Sequence, residues 1–291
     1  MSKEIAITDR AFEKALNRHG YGFQFAVLRA IQDAPTLSGL WVPRVSEFPV
    51  QVQGDATRID FIMERLSHFK YPLYLICECK RVNPALSEWC FVKAPFVIQR
   101  YAPKQAVVVE SLVKSYVAVH DEERPRGAPR AVPLNVMLYH VGFEAKSQKK
   151  GDPKGGKGDA IESAVTQVLR GTNGYLTTLE ANPSLMEGDR RLDLLPVVFT
   201  TANLWVSDVD LYSSDLATGD VKLGNDNAQR VGWLWYQYHM SPGLKHSFPL
   251  LPHKGHRKLE EFMESQYVRT VAIVSAGGIE DFLIKLSVME F

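Results

Sequence analysis

The chain of 291 residues has no run of about 18 apolar residues, the length a membrane-crossing helix needs, and its opening MSKEIAITDR lacks the apolar stretch of a secretory signal. A cytoplasmic protein without a membrane partner is expected. Cysteine is scarce. Cys77, Cys79 and Cys90 form an odd set without the spacing of a disulfide framework or a four-ligand zinc site, which fits a reducing compartment. Charge of one sign is lacking too: 34 lysines and arginines against 33 acids leave +1, so local patches, not a global field, would have to hold any nucleic acid. The phosphate loop GxxxxGK[ST] is missing, and KGGKGD has neither its spacing nor its strand-helix setting, which argues against ATP hydrolysis. His239, His246, His253 and His256 match no compact zinc spacing and read as packing or surface residues.

What is present is an ordinary core-forming composition, 45% hydrophobic and 23% charged, with no internal repeat and no break that demands a second domain. Residues 1–291 therefore read as one domain, with a long insertion at about 81–158. Within it, EAKSQKKGDPKGGKG (Glu144 to Gly158) carries five lysines among glycines. Its part 146–158 reads as a flexible solvated loop, with phosphate contact by Lys149 and Lys150 as the second reading.

Periodicity orders the rest. Ala11, Phe12, Ala15 and Leu16 recur at helical spacing up to a stop at Gly20, and Phe23, Ala26, Val27, Ala30 and Ile31 continue as a second helix. Three strands follow: EFPVQVQ, RIDFIM and the nearly all-apolar LYLICEC, the last reading as central. QAVVVESLVKSYVAVH fits helix or strand, and PLNVMLYHVGF reads as a strand. A helix begins near Asp159, with Ala160, Ile161, Ala164, Val165, Val168 and Leu169 on its apolar side. LDLLPVVFTTANLWVSDVDL returns to strand, GWLWYQYH reads as a packed strand before a base-stacking platform, and TVAIVSAGGIEDFLIKL reads as strand, glycine turn and helix.

The unusual feature is charge at the end of the third strand. Side chains alternate, so Glu78 and Lys80 share a face with Tyr74 and Ile76, while Cys77 and Cys79 take the packing face with Leu73 and Leu75. Antiparallel pairing of the second and third strands brings Asp60 toward Glu78. Two carboxylates in such apolar strands repel unless a cation lies between them, and Mg²⁺ is the cation that prefers oxygen ligands. The bland alternative is a strand-edge Asp60 paired with Arg58 or Arg81, and a solvated Glu78–Lys80 pair.

This constellation, RID followed by ECK, resembles the PD-(D/E)xK nuclease superfamily, in particular its Mrr-like branch. GYGFQF before the sheet, RVNPALSEW after ECK, and the later QVLRGTNGY and LPVVFTTANL are similar to elements of that group. The resemblance implies a restriction-endonuclease-like α/β fold: a mixed central β-sheet flanked by helices (αβββαβ core), with insertions and a C-terminal strand-helix extension. It implies a Mg²⁺- or Mn²⁺-dependent phosphodiester hydrolase, an endonuclease more than an exonuclease, acting on DNA in restriction, phage defence or repair. Asp60, Glu78 and the Cys79 carbonyl would bind the metal, Lys80 would orient or deprotonate the water or bind the phosphate, and Gln167 would help position water. Arg58 and Arg81 join Lys149 and Lys150 as candidate nucleic-acid contacts, in a homodimer or a larger defence complex. One departure stands out. Many relatives carry a glutamate on the N-terminal helix where this chain has Gln24, so Gln24 and Glu13 are the candidate accessory residues. The alternative reading is an inactive module of the same fold that binds nucleic acid or a partner protein.

Overall fold

A computed structural model describes residues 8–66, 71–93, 106–117, 122–134, 136–145, 159–186, 191–222, 227–245 and 267–291. The lysine-rich segment 146–158, with Lys149 and Lys150, and His246, His253 and His256 lie outside the described residues.

Two helices lead the chain. α1 (Asp9–His19) begins after Thr8, whose hydroxyl accepts from the Ala11 amide at 3.3 Å, and ends at Gly20, which takes φ 79°. Glycine adopts that left-handed conformation without a Cβ penalty, and the chain restarts at once as α2 (Tyr21–Asp33), anchored by buried Val27 and Ile31. The strands that follow are β1 (Trp41–Val52), β2 (Asp55–Arg65), β3 (Leu73–Lys80), β4 (Glu88–Val92), β5 (Ala106–Val117), β6 (Glu122–Pro133), β7 (Leu138–Tyr139) and β8 (Val141–Ala145). After α3 (Asp159–Ala181) come β9 (Arg191–Thr200), β10 (Asn203–Ser207), β11 (Ala228–Val231), β12 (Trp233–His239), the one-turn α4 (Pro242–Lys245), β13 (Val268–Ser275) and α5 (Ile279–Ser287).

The fold is mixed α/β around a large mixed sheet in the order β1-β2-β3-β9-β13-β12-β7. β1, β2 and β3 run antiparallel, β3 and β9 parallel, and β9 and β13 parallel, so β3 is central as its unbroken apolar run predicts. β5 adds antiparallel to residues 191–194 of β9 and carries β6 as an outer strand. β3 and β9 both continue into a second sheet, ordered β11-β10-β4-β8, in which β4 and β10 remain parallel neighbours. The joint is held by the Thr201 amide donating to the Lys80 carbonyl at 3.2 Å and the Val82 amide donating to the Thr201 hydroxyl at 3.0 Å.

One face of the main sheet packs on α3: Ile59, Ile62, Ile76 and Val198 meet Ala164, Val165, Val168 and Leu169. The other face carries Phe61, Leu75, Cys77 and Val197 against α2 and α5. Among the described residues no helix is long and apolar enough to cross a membrane.

Two sequence readings change in detail and a third stands. The stretch QAVVVESLVKSYVAVH, open between helix and strand, is β5. Its partner β6 contains Pro125, Pro129 and Pro133, four residues apart, a spacing that puts all three missing N–H positions on one side of the strand, as an outer strand tolerates. PLNVMLYHVGF does not form one strand: it divides into β7 in the main sheet and β8 in the second. GWLWYQYH is a packed strand, with Trp235, Tyr236 and Tyr238 buried.

α3 lies close enough to the sheet that a Cβ on Gly174 would stand 2.6 Å from Val50 Cβ. Gly174→Ala is therefore expected to lower stability by about 1–3 kcal/mol in urea unfolding, although alanine favours helix. The same change at Gly22 in α2, where nothing lies within 4 Å, is expected to leave stability unchanged or raise it.

Candidate metal centre and its cleft

The β2–β3 ladder runs from Glu64↔Tyr74 to Phe61↔Cys77 and stops one residue short of the charged pair. Glu78 continues along β9 opposite Val198, whereas Asp60 leaves the regular pattern. The β1–β2 register passes from Ser46↔Phe61 to Phe48↔Ile59 without pairing Glu47 and Asp60, and Glu47 has φ 53°. The side-chain alternation also breaks here. Ile59 and Ile62, three apart, both face α3, while Phe61 and Met63 face the opposite core.

Beside this irregularity Asp60 faces the end of β3, where its Oδ2 accepts the Cys79 N–H at 2.6 Å. The Asp60 carbonyl, freed from the ladder, accepts from Gln24 Nε2 at 2.8 Å, and the same nitrogen donates to Glu47 Oε1 at 2.9 Å. Glu47 also meets Arg58 at 3.5 Å. Lys80 Nζ donates to Ser163 Oγ on α3 at 3.3 Å. These groups line a polar cleft of about 320 Å³ that includes Gln24, Glu47, Asp60, Glu78, Lys80 and Gln167.

The carboxylates differ from other buried acids in the sheet. Glu110 is paired with Arg269, and Asp193 with Arg130 at 2.9 Å and Arg191 at 3.1 Å. No described lysine or arginine forms an ion pair with Asp60 or Glu78. Burial, reinforced by the neighbouring Asp60, pushes Glu78 up to about 9, against a weaker opposing pull from Lys80. Burial also raises Asp60 to about 6, opposed first by the Cys79 N–H, which favours the ionised form. Without a cation the pair thus holds a proton at neutral pH; with one, both groups can ionise.

The donor set is all hard oxygen. Among the described residues no three His, Cys, Asp or Glu side chains gather as a ready metal cage. Two carboxylates still suit Mg²⁺, which completes its octahedron with water and substrate oxygens.

No protein family matches this chain, and no curated protein or solved structure matches it either.

Asp60, Glu78, Lys80 and Gln167 line one cleft, and the Cys79 main chain lies within it. The Cys79 thiol is pushed well up by burial and packs with the α2 and α5 core, a small core residue as the strand alternation predicts. Arg58 and Arg81 also line the cleft. Of the two accessory candidates, Gln24 lies in the cleft at 3% exposure, whereas Glu13 stands exposed on α1 outside the lining. The break at Gly20 explains the difference, because it is the start of α2, not α1, that reaches the cleft.

Glu47 was not a candidate by sequence. The strand pattern placed it as one more polar partner of Phe48, and a positive φ at a non-glycine residue leaves no sequence signal. An acid opening the segment EFPVQVQ, which lies mid-strand because β1 begins at Trp41, is the hint.

Proposed function

We propose that the chain is a metal-dependent phosphodiester hydrolase of restriction-endonuclease-like architecture, an endonuclease acting on DNA. The observation that carries this reading is the convergence of half-buried Asp60 and buried Glu78, which form no ion pair with a lysine or arginine among the described residues, in one cleft with Lys80. The element order of helix, three antiparallel strands, α3 and a parallel β9 supports it as well, because it repeats the αβββαβ order the ECK motif implies. In this reading Asp60, Glu78 and the Cys79 carbonyl hold Mg²⁺ or Mn²⁺.

Such an ion supplies Lewis acidity, favouring hydroxide over water and offsetting charge that develops on the phosphate. The chain's own groups orient the reaction. The Cys79 N–H holds one oxygen of the Asp60 carboxylate, and Asp60 lines the cleft. Lys80, steadied by Ser163, presents N–H donors to a non-bridging phosphate oxygen or to the attacking water. Gln167 offers an amide to the same water from α3. As the water oxygen bonds to phosphorus and gives up a proton to solvent, the P–O ester bond breaks and the leaving oxygen takes up a proton from solvent.

Gln167 also lines an adjoining groove of about 570 Å³ with Ser163, Thr166 and Arg170, which gives the strand beside the scissile phosphate a polar path. Arg58 and Arg81, at the cleft itself, are the further phosphate contacts of this reading.

The test is incubation of supercoiled plasmid, single-stranded DNA and RNA with the protein in Mg²⁺, in Mn²⁺ and in EDTA. Cleavage of plasmid that needs the ion and stops in EDTA is expected. Binding of DNA without cleavage in either ion would overturn the enzymatic reading in favour of a non-catalytic module.

A further inference from the structure

Gln24 is a buried amide whose nitrogen serves two acceptors at once. Its Nε2 donates to the Asp60 carbonyl at 2.8 Å and to Glu47 Oε1 at 2.9 Å, and the residue is 3% exposed. Both acceptors sit where the β1–β2 ladder fails: Glu47 and Asp60 are the two residues between the pairs Ser46↔Phe61 and Phe48↔Ile59. Glu47 pays for its place with φ 53°, a conformation that a non-glycine residue holds only when its surroundings impose it.

The geometry has one economical source. A regular ladder would satisfy the Asp60 carbonyl within the sheet and keep the strand in simple alternation. Instead the carbonyl turns to α2, and the Asp60 carboxylate turns to the Cys79 N–H. Only a donor can occupy the position between a carbonyl and a carboxylate. A glutamate there would set an acceptor against two acceptors and bring another carboxylate to a cleft that already holds Glu47, Asp60 and Glu78.

We infer that Gln24 is a positioning residue, whose amide nitrogen holds the distorted β1–β2 segment so that Asp60 faces the metal position and Glu47 is held at the same cleft. The inference rests on the metal-dependent reading of Asp60 and Glu78, but it makes a separate claim about the metal-free protein. There, Gln24 keeps Asp60 on the Cys79 amide.

Two variants test it. Gln24→Met removes the donor at similar volume and stays compatible with burial, and Gln24→Glu replaces the donor with an acceptor. Two readouts are needed: Mn²⁺ affinity by titration calorimetry, and hydrogen exchange of the Cys79 amide in metal-free protein, with the Leu75 amide of the same strand as the internal reference. Both variants are expected to weaken Mn²⁺ binding by about 10- to 100-fold, as loss of a residue that orients a ligand does. The Cys79 amide is expected to exchange faster while Leu75 does not. Unchanged Cys79 protection in Gln24→Met would overturn the inference, and so would Mn²⁺ affinity in Gln24→Glu equal to or tighter than wild type. A wild type that binds no Mn²⁺ would strike the metal reading itself, and the Cys79 exchange would then decide the positioning claim alone.

Discussion

Replacement of Lys80 by methionine is expected to lower the rate of DNA cleavage by about 10²- to 10⁴-fold, the range associated with loss of a positioned proton-transfer or charge-stabilising group. Methionine keeps most of the apolar stem, so the packing of the end of β3 is retained and the loss reports on the amine. The fold is expected to survive. Lys80 is half-buried, and its hydrogen bond to Ser163 is a long one at 3.3 Å between groups near solvent. Mn²⁺ affinity is the accompanying measurement: because Lys80 is not an oxygen ligand, the variant should bind the ion at least as well as wild type. Cleavage that falls only with a matching loss of metal binding would contradict the role assigned to the amine. Arginine is not expected to rescue, since its planar fork cannot occupy the place of a compact ammonium between α3 and the carboxylates.

The second large effect is a dependence of stability on pH that metal should reverse. Glu78 lies at about 9 in the folded protein against an ordinary value of 4.5. The folded state therefore binds this proton more tightly than the unfolded state. Its contribution is fully present below the unfolded value and is lost as pH rises through the folded one, so metal-free stability should fall across the window from 4.5 to about 9. Within that window each pH unit removes about 1.4 kcal/mol from this group alone. Asp60 adds a smaller loss of the same sign between 3.8 and about 6. Urea unfolding of metal-free wild type and Glu78→Gln at several pH values separates this effect from the rest of the titration. The variant should be the more stable protein above neutral pH, and the difference between the two should grow with pH. Saturating Mn²⁺ should stabilise wild type, more at high pH than at low, and release protons on binding. A difference that does not change with pH would contradict a buried, protonated Glu78.

Much of this arrangement is readable in the sequence because it depends on strand alternation. Five consecutive apolar residues, Leu73 to Cys77, identify β3 as central, and period two then places Glu78 and Lys80 on one side and Cys77 and Cys79 on the other. The short link between β2 and β3 fixes their antiparallel pairing. α3 is equally legible, since its apolar positions recur without a gap from Ala160 to Leu169. The parts that escape are those where the backbone departs from a regular period. Asp60 comes beside Glu78 by extension of the Phe61↔Cys77 register, but its bonds to the Cys79 amide and to Gln24 belong to a place where the β1–β2 pairing is interrupted, and Glu47 enters the cleft through a positive φ. Alternation carried back from Phe61 would place Ile59 on the α2 side, yet it packs on the α3 face with Ile62. β6 escapes because three prolines suggest a loop until an outer edge is available for them. Gln24 is visible as a residue but not as a donor: its role depends on the two acceptors that the broken ladder presents.

The oxygen-only donor set and the lack, among the described residues, of an ion pair to Asp60 or Glu78 support a common claim, that these carboxylates serve an ion and that the ion serves hydrolysis. The most direct measurement is plasmid cleavage in Mg²⁺ by wild type and Asp60→Ala purified in parallel by one procedure. Asp60→Ala removes the oxygen held by the Cys79 amide without touching Lys80 or Glu78. The expected result is ion-dependent cleavage by wild type and its loss, by about 10²-fold or more, in the variant. Equal cleavage by the two proteins would contradict the assignment and place the activity elsewhere.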